Sequence, residues 1–402
     1  MTDLSPRDTR VITFGPNSDR QPKFSPDGRR VAYLSDRHEP GHFELFILDL
    51  ETGASLSTPS IDGWVEYMHW SPDGARILLG IAGHGADIAA PLGGVATARL
   101  GENLPSWIPV IKFGNEDCQW RRAWIYDSIT AEVHPVGPEC LNVWEAVWCG
   151  TELIAAVASP EPGEGHWYAA RLHLIDINSG NATRFYSPRE QIGSPAASPT
   201  GRYLAVVEGA CSDRGVLAGD LLIFDLSAGT SVRAFTDHVD IAYTEWRSET
   251  TLLLGGHRGF ESVVGAYNTS SGRFTQAWSS PDITTAGRYI TICGLNDIGD
   301  CVLIGESFQR APELALIRRG DYQVIRTFDH AYADHSSAIG SIERFVWTAP
   351  DKLEIQGLLL APKAPGPHPL IMYVHGGPVG HWRPWWLGRS GIHILMLLRR
   401  GY

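Results

Sequence analysis

Residues 369–386 read PLIMYVHGGPVGHWRPWW: an apolar run with strand character leads straight into His375-Gly376-Gly377-Pro378. A strand that ends in His-Gly-Gly prepares an oxyanion hole, because glycine N–H groups there can approach a reacting carbonyl without a Cβ in the way. Acyl transfer also needs a nucleophile on a G-x-S-x-G elbow. No serine in the chain has that setting. The nearest are Ser307 in GESFQ, inside a strand-like run, and Ser390 in GRSGI, at the wrong spacing before a helix-like run. Both read as structural, so the nucleophile is expected beyond Tyr402 and the chain reads as truncated.

Other chemistries find little support. His330 and His335, in DHAYADHSS, lack a third ligand at metal spacing, so no metal is expected. There is no P-loop and no complete G-x-G-x-x-G, which removes nucleotide chemistry, and no cofactor is expected. A net charge of −12 and pI near 5.7 oppose a nucleic-acid partner, which would need a basic stripe. No apolar stretch reaches the ~18 residues of a membrane span, and the N-terminus has no signal-peptide run. Six cysteines without C-x-x-C pairs read as free thiols of a reducing cytoplasm.

The elements that would position this loop begin with a repeat. KFSPDGRRVAYLSD (23–36) returns as HWSPDGARILLGIA (69–82) and, degraded, as AASPTGRYLAVVEG (196–209). Each reads as strand, tight turn, strand, with Pro at a preset φ and Gly where φ must be positive. A third apolar run ending in Asp follows (FELFILD, RRAWIYD, RLHLID, DLLIFD), then a fourth. Phe24, Trp70, Trp148, Ala197, Trp246 and Ile292 mark successive units at intervals of 46, 78, 49, 49 and about 46 residues.

Four-strand units at that period are β-propeller blades. Six blades are visible, and a seventh is possible because RVITF (10–14) reads as a strand without a blade of its own. The long interval holds a Gly/Pro-rich insertion (83–119) between the second and third strands of blade two. The domain expectation is a mainly β chain, with a β-propeller over 10–330 and the truncated start of an α/β-hydrolase domain over 331–402. That start comprises a hairpin over 343–362, a Pro-rich spacer, the strand LIMYVHGG and a helix near 391–400 with Gly401 as its cap.

A propeller of SPDG blades followed by a two-strand entry and PLIMYVHGGP resembles the prolyl oligopeptidase family of serine peptidases, in its acylaminoacyl-peptidase-like branch. The resemblance covers nearly the whole chain, but the family's G-x-S-x-G, Asp and His are absent. It implies hydrolysis of short peptides through an acyl-enzyme, with the propeller restricting entry. By the family pattern one oxyanion donor is the backbone N–H of Gly377, with Gly376 second, and His375 shapes the loop. Trp382 and Trp385, with His381 and Trp386, either wall an apolar pocket or pack a domain interface. Glu66 and Glu145, on inner strands, are candidates for binding a peptide ammonium. Arg121, Arg122 and Arg258 are weaker candidates for a carboxylate. The chain alone is expected to be inactive. Two alternatives stand beside this reading: a propeller binding module with a vestigial hydrolase remnant, or an esterase or amidase on the same fold.

Overall fold

In the computed structural model the described residues are 11–59, 61–84, 86, 119–211, 214–285, 290–328, 336–376 and 381–402. Among them are six antiparallel blade sheets, the first five of them four-stranded meanders in chain order, and a separate two-stranded sheet near the end of the chain. Blade one comprises β1 (Asp19–Phe24), β2 (Arg30–Glu39), β3 (His42–Asp49) and β4 (Ser55–Ser57). Blade two comprises β5 (Trp64–Trp70), β6 (Arg76–Ala82), β7 (Arg121–Asp127) and β8 (Val133–Val136). In blade three are β9 (Asn142–Cys149), β10 (Leu153–Ser159), β11 (Arg171–Asp176), preceded by the one-turn helix α1 (Glu164–Trp167), and β12 (Ala182–Tyr186).

Blade four holds β13 (Gln191–Ala197), β14 (Tyr203–Gly209), β15 (Asp220–Asp225) and β16 (Thr230–Arg233). Blade five is β17 (Asp240–Trp246), β18 (Thr251–Arg258), β19 (Glu261–Asn268) and β20 (Arg273–Ser280). In blade six, β21 (Thr284–Thr285) and β22 (Ile292–Gly294) both pair with β23 (Cys301–Ser307), which leads to β24 (Arg310–Arg318) and β25 (Asp321–Thr327).

This is the mainly β, six-bladed propeller order that the repeat predicts. The expected insertion point also holds, since the chain leaves blade two at Ala82 and rejoins it at Arg121. Most of the insertion lies outside the described residues. RVITF is corrected: residues 11–14 form no strand, and Val11 and Phe14 are exposed with no ladder partner. Blade one already has four strands of its own, and no seventh blade forms among the described residues.

The repeated residues have local causes. In the SPDG turns, Gly28 and Gly74 sit at φ +70°, and their N–H groups donate to the carbonyls of Ser25 and Ser71 at 2.8 and 2.9 Å. Each turn serine donates to the Asp two residues on. The Asp that closes a third strand makes an Asx turn: Asp49 accepts the Thr52 N–H at 2.7 Å, and Asp176 accepts that of Ser179 at 2.7 Å. These residue types recur because the turn needs them.

Between the turns, alternation sends successive side chains to opposite faces. In β6, Ile77, Leu79 and Ile81 pack with Leu34, Leu45 and Ile47 of blade one. Leu78 faces the other way, toward Val143, Ile154 and Ala156 of blade three. Neither face of the blade is left to water. Burying one such side chain contributes roughly 1.5–3 kcal/mol.

The chain divides into two compact units. One is Arg10–Phe235 with Trp246–Thr251, and the other contains Thr236–Glu245 with Leu252–Tyr402. In the second, β26 (Ile339–Thr348) and β27 (Glu354–Pro362) form the expected hairpin, pairing from Ile339↔Pro362 to Thr348↔Glu354 with one register shift between Ile339 and Ser341. Two helices close the chain, α2 (Leu387–Ser390) and α3 (Ile392–Arg399). Gly401, at φ +88°, donates to the Leu398 carbonyl while Tyr402 donates to that of Leu397, a Schellman cap as predicted.

The strand LIMYVHGG is also corrected. Residues 369–376 form no ladder, and Leu370, Ile371, Met372, Tyr373 and Val374 are all at least half exposed. A strand is stabilised by its neighbours, and this segment has none among the described residues.

Candidate functional site

Two clusters contain the predicted residues. The first surrounds His375 and Gly376. His375 is exposed, and its Nδ1 lies 3.1 Å from the carbonyl of the adjacent Gly376. A Cβ built at Gly376 would meet nothing within 4 Å, so the chain itself does not demand glycine there. Gly377 lies outside the described residues. Trp382 faces back onto this loop: its ring is 4.8 Å from that of Tyr373 and stacks on His375 at 6.3 Å. Trp385 is 4.5 Å from Trp382 and packs on the apolar cluster of Phe308, Ile339, Leu387, Leu395 and Leu398. Trp386 is 1% exposed and belongs to the core.

The polar residues after the turn are met by blades five and six. Arg383 Nη1 donates to His257 Nε2 and to Thr285 Oγ1, both at 3.2 Å. The His381 ring lies edge-on to His257, with centroids 4.6 Å apart. Glu306 Oε2 accepts the Trp386 N–H at 3.3 Å and lies 3.8 Å from Arg389 Nη2. Burial, with Arg383 next to it, holds His257 well below the ordinary imidazole range. Loss of water around His381, then Arg383, brings that ring to about 4. Both imidazoles are therefore neutral at pH 7, and His257 Nε2 can accept.

A cavity of about 790 Å³ lies nearby, lined by residues including Asp282, Phe308, Arg310, Arg344 and Pro384. Neither His375 nor Trp382 lines it.

The second cluster centres on Glu66 and Glu145, one on β5 and one on β9. Both Glu66 oxygens accept from Arg121 Nε at 3.1 Å, and Arg214 Nη2 lies 3.3 Å from Oε1. The two guanidiniums lie 5.0 and 5.4 Å from the Trp144 ring. Burial alone would raise the Glu66 pKa, but Arg214 and Arg121 outweigh it and hold the carboxyl below its ordinary value. The site expected to receive a peptide ammonium at Glu66 is thus filled by arginines of the same chain. Glu145 differs. It accepts the Ser194 N–H at 2.7 Å, and burial keeps its pKa raised. Arg122 pairs with Glu139 and Arg258 with Asp237 and Glu261, so these cations are also engaged.

Sequence reasoning missed Arg214, Arg383, Glu306 and His257. Arg383 left a signal in HWRPWW, a lone cation inside an aromatic run that must find polar partners. Arg214 left none, because its loop has no periodicity. Among the described residues no group of His, Cys, Asp or Glu is arranged to hold a metal, and no helix is long and apolar enough to cross a membrane.

No protein-family model matches the chain. Curated proteins similar to parts of it are peptidases. One is the uncharacterised peptidase YuxL of Bacillus subtilis, 38% identical over 77 residues, which are 19% of this chain and 12% of that protein. Another is dipeptidyl-peptidase 5 of Porphyromonas gingivalis, 40% identical over 63 residues, 15% of this chain and 9% of the other.

Among solved structures, acylaminoacyl peptidase of Pyrococcus horikoshii superposes with a TM-score of 0.63 at 17% identity, covering 96% of this chain and 56% of its own. An oligogalacturonate lyase in complex with manganese gives 0.53 at 12% identity, covering 88% of this chain and 92% of its own. The chain thus spans about half the length of the peptidase structure it matches. At these identities the superpositions show the fold.

Proposed function

We propose that this chain is the propeller and the opening of the catalytic domain of a serine peptidase of the prolyl oligopeptidase family. The propeller runs over 10–330 and the start of the α/β-hydrolase domain over 331–402. The observation that carries this reading is the open space over Gly376 of the His-Gly-Gly motif, which follows six blades and a hairpin in the chain. In the reaction, a serine supplied by sequence beyond Tyr402 attacks the carbonyl of a short peptide. The tetrahedral oxygen then accepts an N–H from Gly377, with Gly376 as the second candidate, and one from the residue after the serine. One such donor is worth about 3–4 kcal/mol of barrier. His375 shapes the turn, Trp382 and Trp385 border the entry, and Glu145 is the carboxylate left to meet a peptide ammonium. The protein is proposed to work in the cytoplasm.

The test is to express residues 1–402 and, separately, the reading frame continued past Tyr402, and to treat both with a fluorophosphonate and with short peptide anilides. The proposal expects labelling and peptide cleavage by the longer form alone. Cleavage of p-nitrophenyl esters without peptide turnover would replace peptidase by esterase. A stop codon directly after Tyr402, with no labelling, would leave the propeller as a binding module.

A further inference from the structure

We propose that Arg383 is a positioning residue that seats the segment carrying Tyr373 and His375, which leads into the His-Gly-Gly motif, on blades five and six. The consequence for catalysis rests on the peptidase reading, whereas the seating itself does not.

Three strands converge on the guanidinium or its neighbours. His257 lies near the end of β18, Thr285 on β21 and Glu306 on β23, and β21 pairs β23 so that Thr284 stands opposite Glu306. Thr285 is 2% exposed, Glu306 2% and His257 9%, so a cation arriving there meets oriented acceptors away from water. A single nitrogen of Arg383, Nη1, donates to an imidazole nitrogen and a hydroxyl at once, on a side chain that stays charged even when buried. Glu306 supplies the countercharge and holds the backbone three residues on, through the Trp386 N–H.

The link to the loop is Trp382, the immediate neighbour of Arg383. Its ring covers Tyr373 and His375, the two side chains that lead into the glycines. Fixing Arg383 therefore fixes the backbone that carries Trp382, and Trp382 fixes the entry to the turn. The exposed segment 369–376 has no ladder of its own to hold it in place. A donor displaced by about 1 Å loses most of its value to a transition state.

The test labels the 402-residue chain with 5-fluorotryptophan and assigns the Trp382 resonance by W382F. In the wild type the ring currents of Tyr373 and His375 displace that resonance. Arg383→Met is expected to move it to the solvent value and to speed amide exchange at residues 385–387 at least tenfold, with β24 amides unchanged. Arg383→Lys should fall between the two.

Thr285→Val, which removes one acceptor at nearly constant volume, guards against a variant that does not fold and should shift the resonance part of the way. A Trp382 resonance that stays put in both R383M and T285V, with β24 intact, overturns the anchor. In the longer form, R383M should lower kcat about tenfold at unchanged KM for a short peptide, and an unchanged kcat overturns the positioning role. If the longer form cleaves no peptide, the proposed function falls while the fluorine shift still decides the seating.

Discussion

The indole N–H of Trp148 donates to the backbone carbonyl of His69 at 2.9 Å, joining the first strand of blade three to that of blade two. The same bond recurs from Trp70 to Lys23 and from Trp246 to Ala196, both at 3.0 Å. In each case a residue of the preceding blade covers the ring: Arg30 over Trp70, Arg76 over Trp148, Tyr203 against Trp246. The tryptophan that marks the repeat is therefore a stitch between neighbouring blades. Replacing Trp148 with Phe keeps a ring but removes the donor from a partly buried carbonyl, which costs about 1 kcal/mol. Urea denaturation of W148F should show that loss, and an unchanged midpoint would mean that the bond contributes nothing.

Glu66 and Glu145 predict opposite signs. The Glu66 pKa is lowered in the fold, so its stabilisation is present above the unfolded value near 4.5 and lost as pH falls toward the folded one. Glu66→Gln removes the buried carboxylate that Arg121 and Arg214 both contact and should cost about 3–5 kcal/mol at pH 7. Glu145 has a raised pKa, so its ionised form above that pKa costs stability. Glu145→Gln should be neutral or stabilising at pH 7. Parallel denaturation of the two variants reads the contrast directly, and equal losses would contradict it.

Acid should weaken the anchor at blades five and six. His257 and His381 have folded pKa values below the unfolded 6.5, the latter about 4, so between these limits the unfolded chain binds more protons and stability falls as pH falls. The charged and titratable groups facing them are Arg383, Glu306 and His375, with the backbone of Glu261 and Gly259. His257→Gln keeps a polar acceptor without a titration. Its stability should decline less than the wild type's from about pH 6.5 to about pH 4.5. Superimposable pH curves would exclude this source.

Two glycines separate folding from function. A Cβ at Gly80 would run into the buried Tyr67 ring, whereas one at Gly376 meets nothing within 4 Å. Gly80→Ala should cost about 1–3 kcal/mol through overpacking. Gly376→Ala should leave the thermal midpoint unchanged and lower peptide turnover in the longer form. A lowered midpoint in G376A would show that the chain, rather than the substrate, needs that glycine.

Much of the fold was legible because its devices are local. The SPDG turns need Pro and positive-φ Gly within four residues, the Asx turns need Asp at the strand end, and alternation sorts each blade's two faces. Blade order, the insertion point after Ala82, the closing hairpin and the Gly401 cap were all readable from such short-range patterns. RVITF and LIMYVHGG were misread for a shared reason. A short apolar, β-prone run reports a capacity to pair, whereas a strand exists only where a neighbouring backbone is present to complete the ladder.

The sequence by itself determined the repeat, the turn chemistry and the presence of a His-Gly-Gly loop, since each depends on residues within a few positions of one another. Only the tertiary structure decided which charges meet. Glu66 finds Arg214 across 148 residues and Arg383 finds His257 across 126. No periodicity encodes such a pairing, because it arises when separate strands bring polar groups to one place away from water, where an unpaired charge would be too costly to keep.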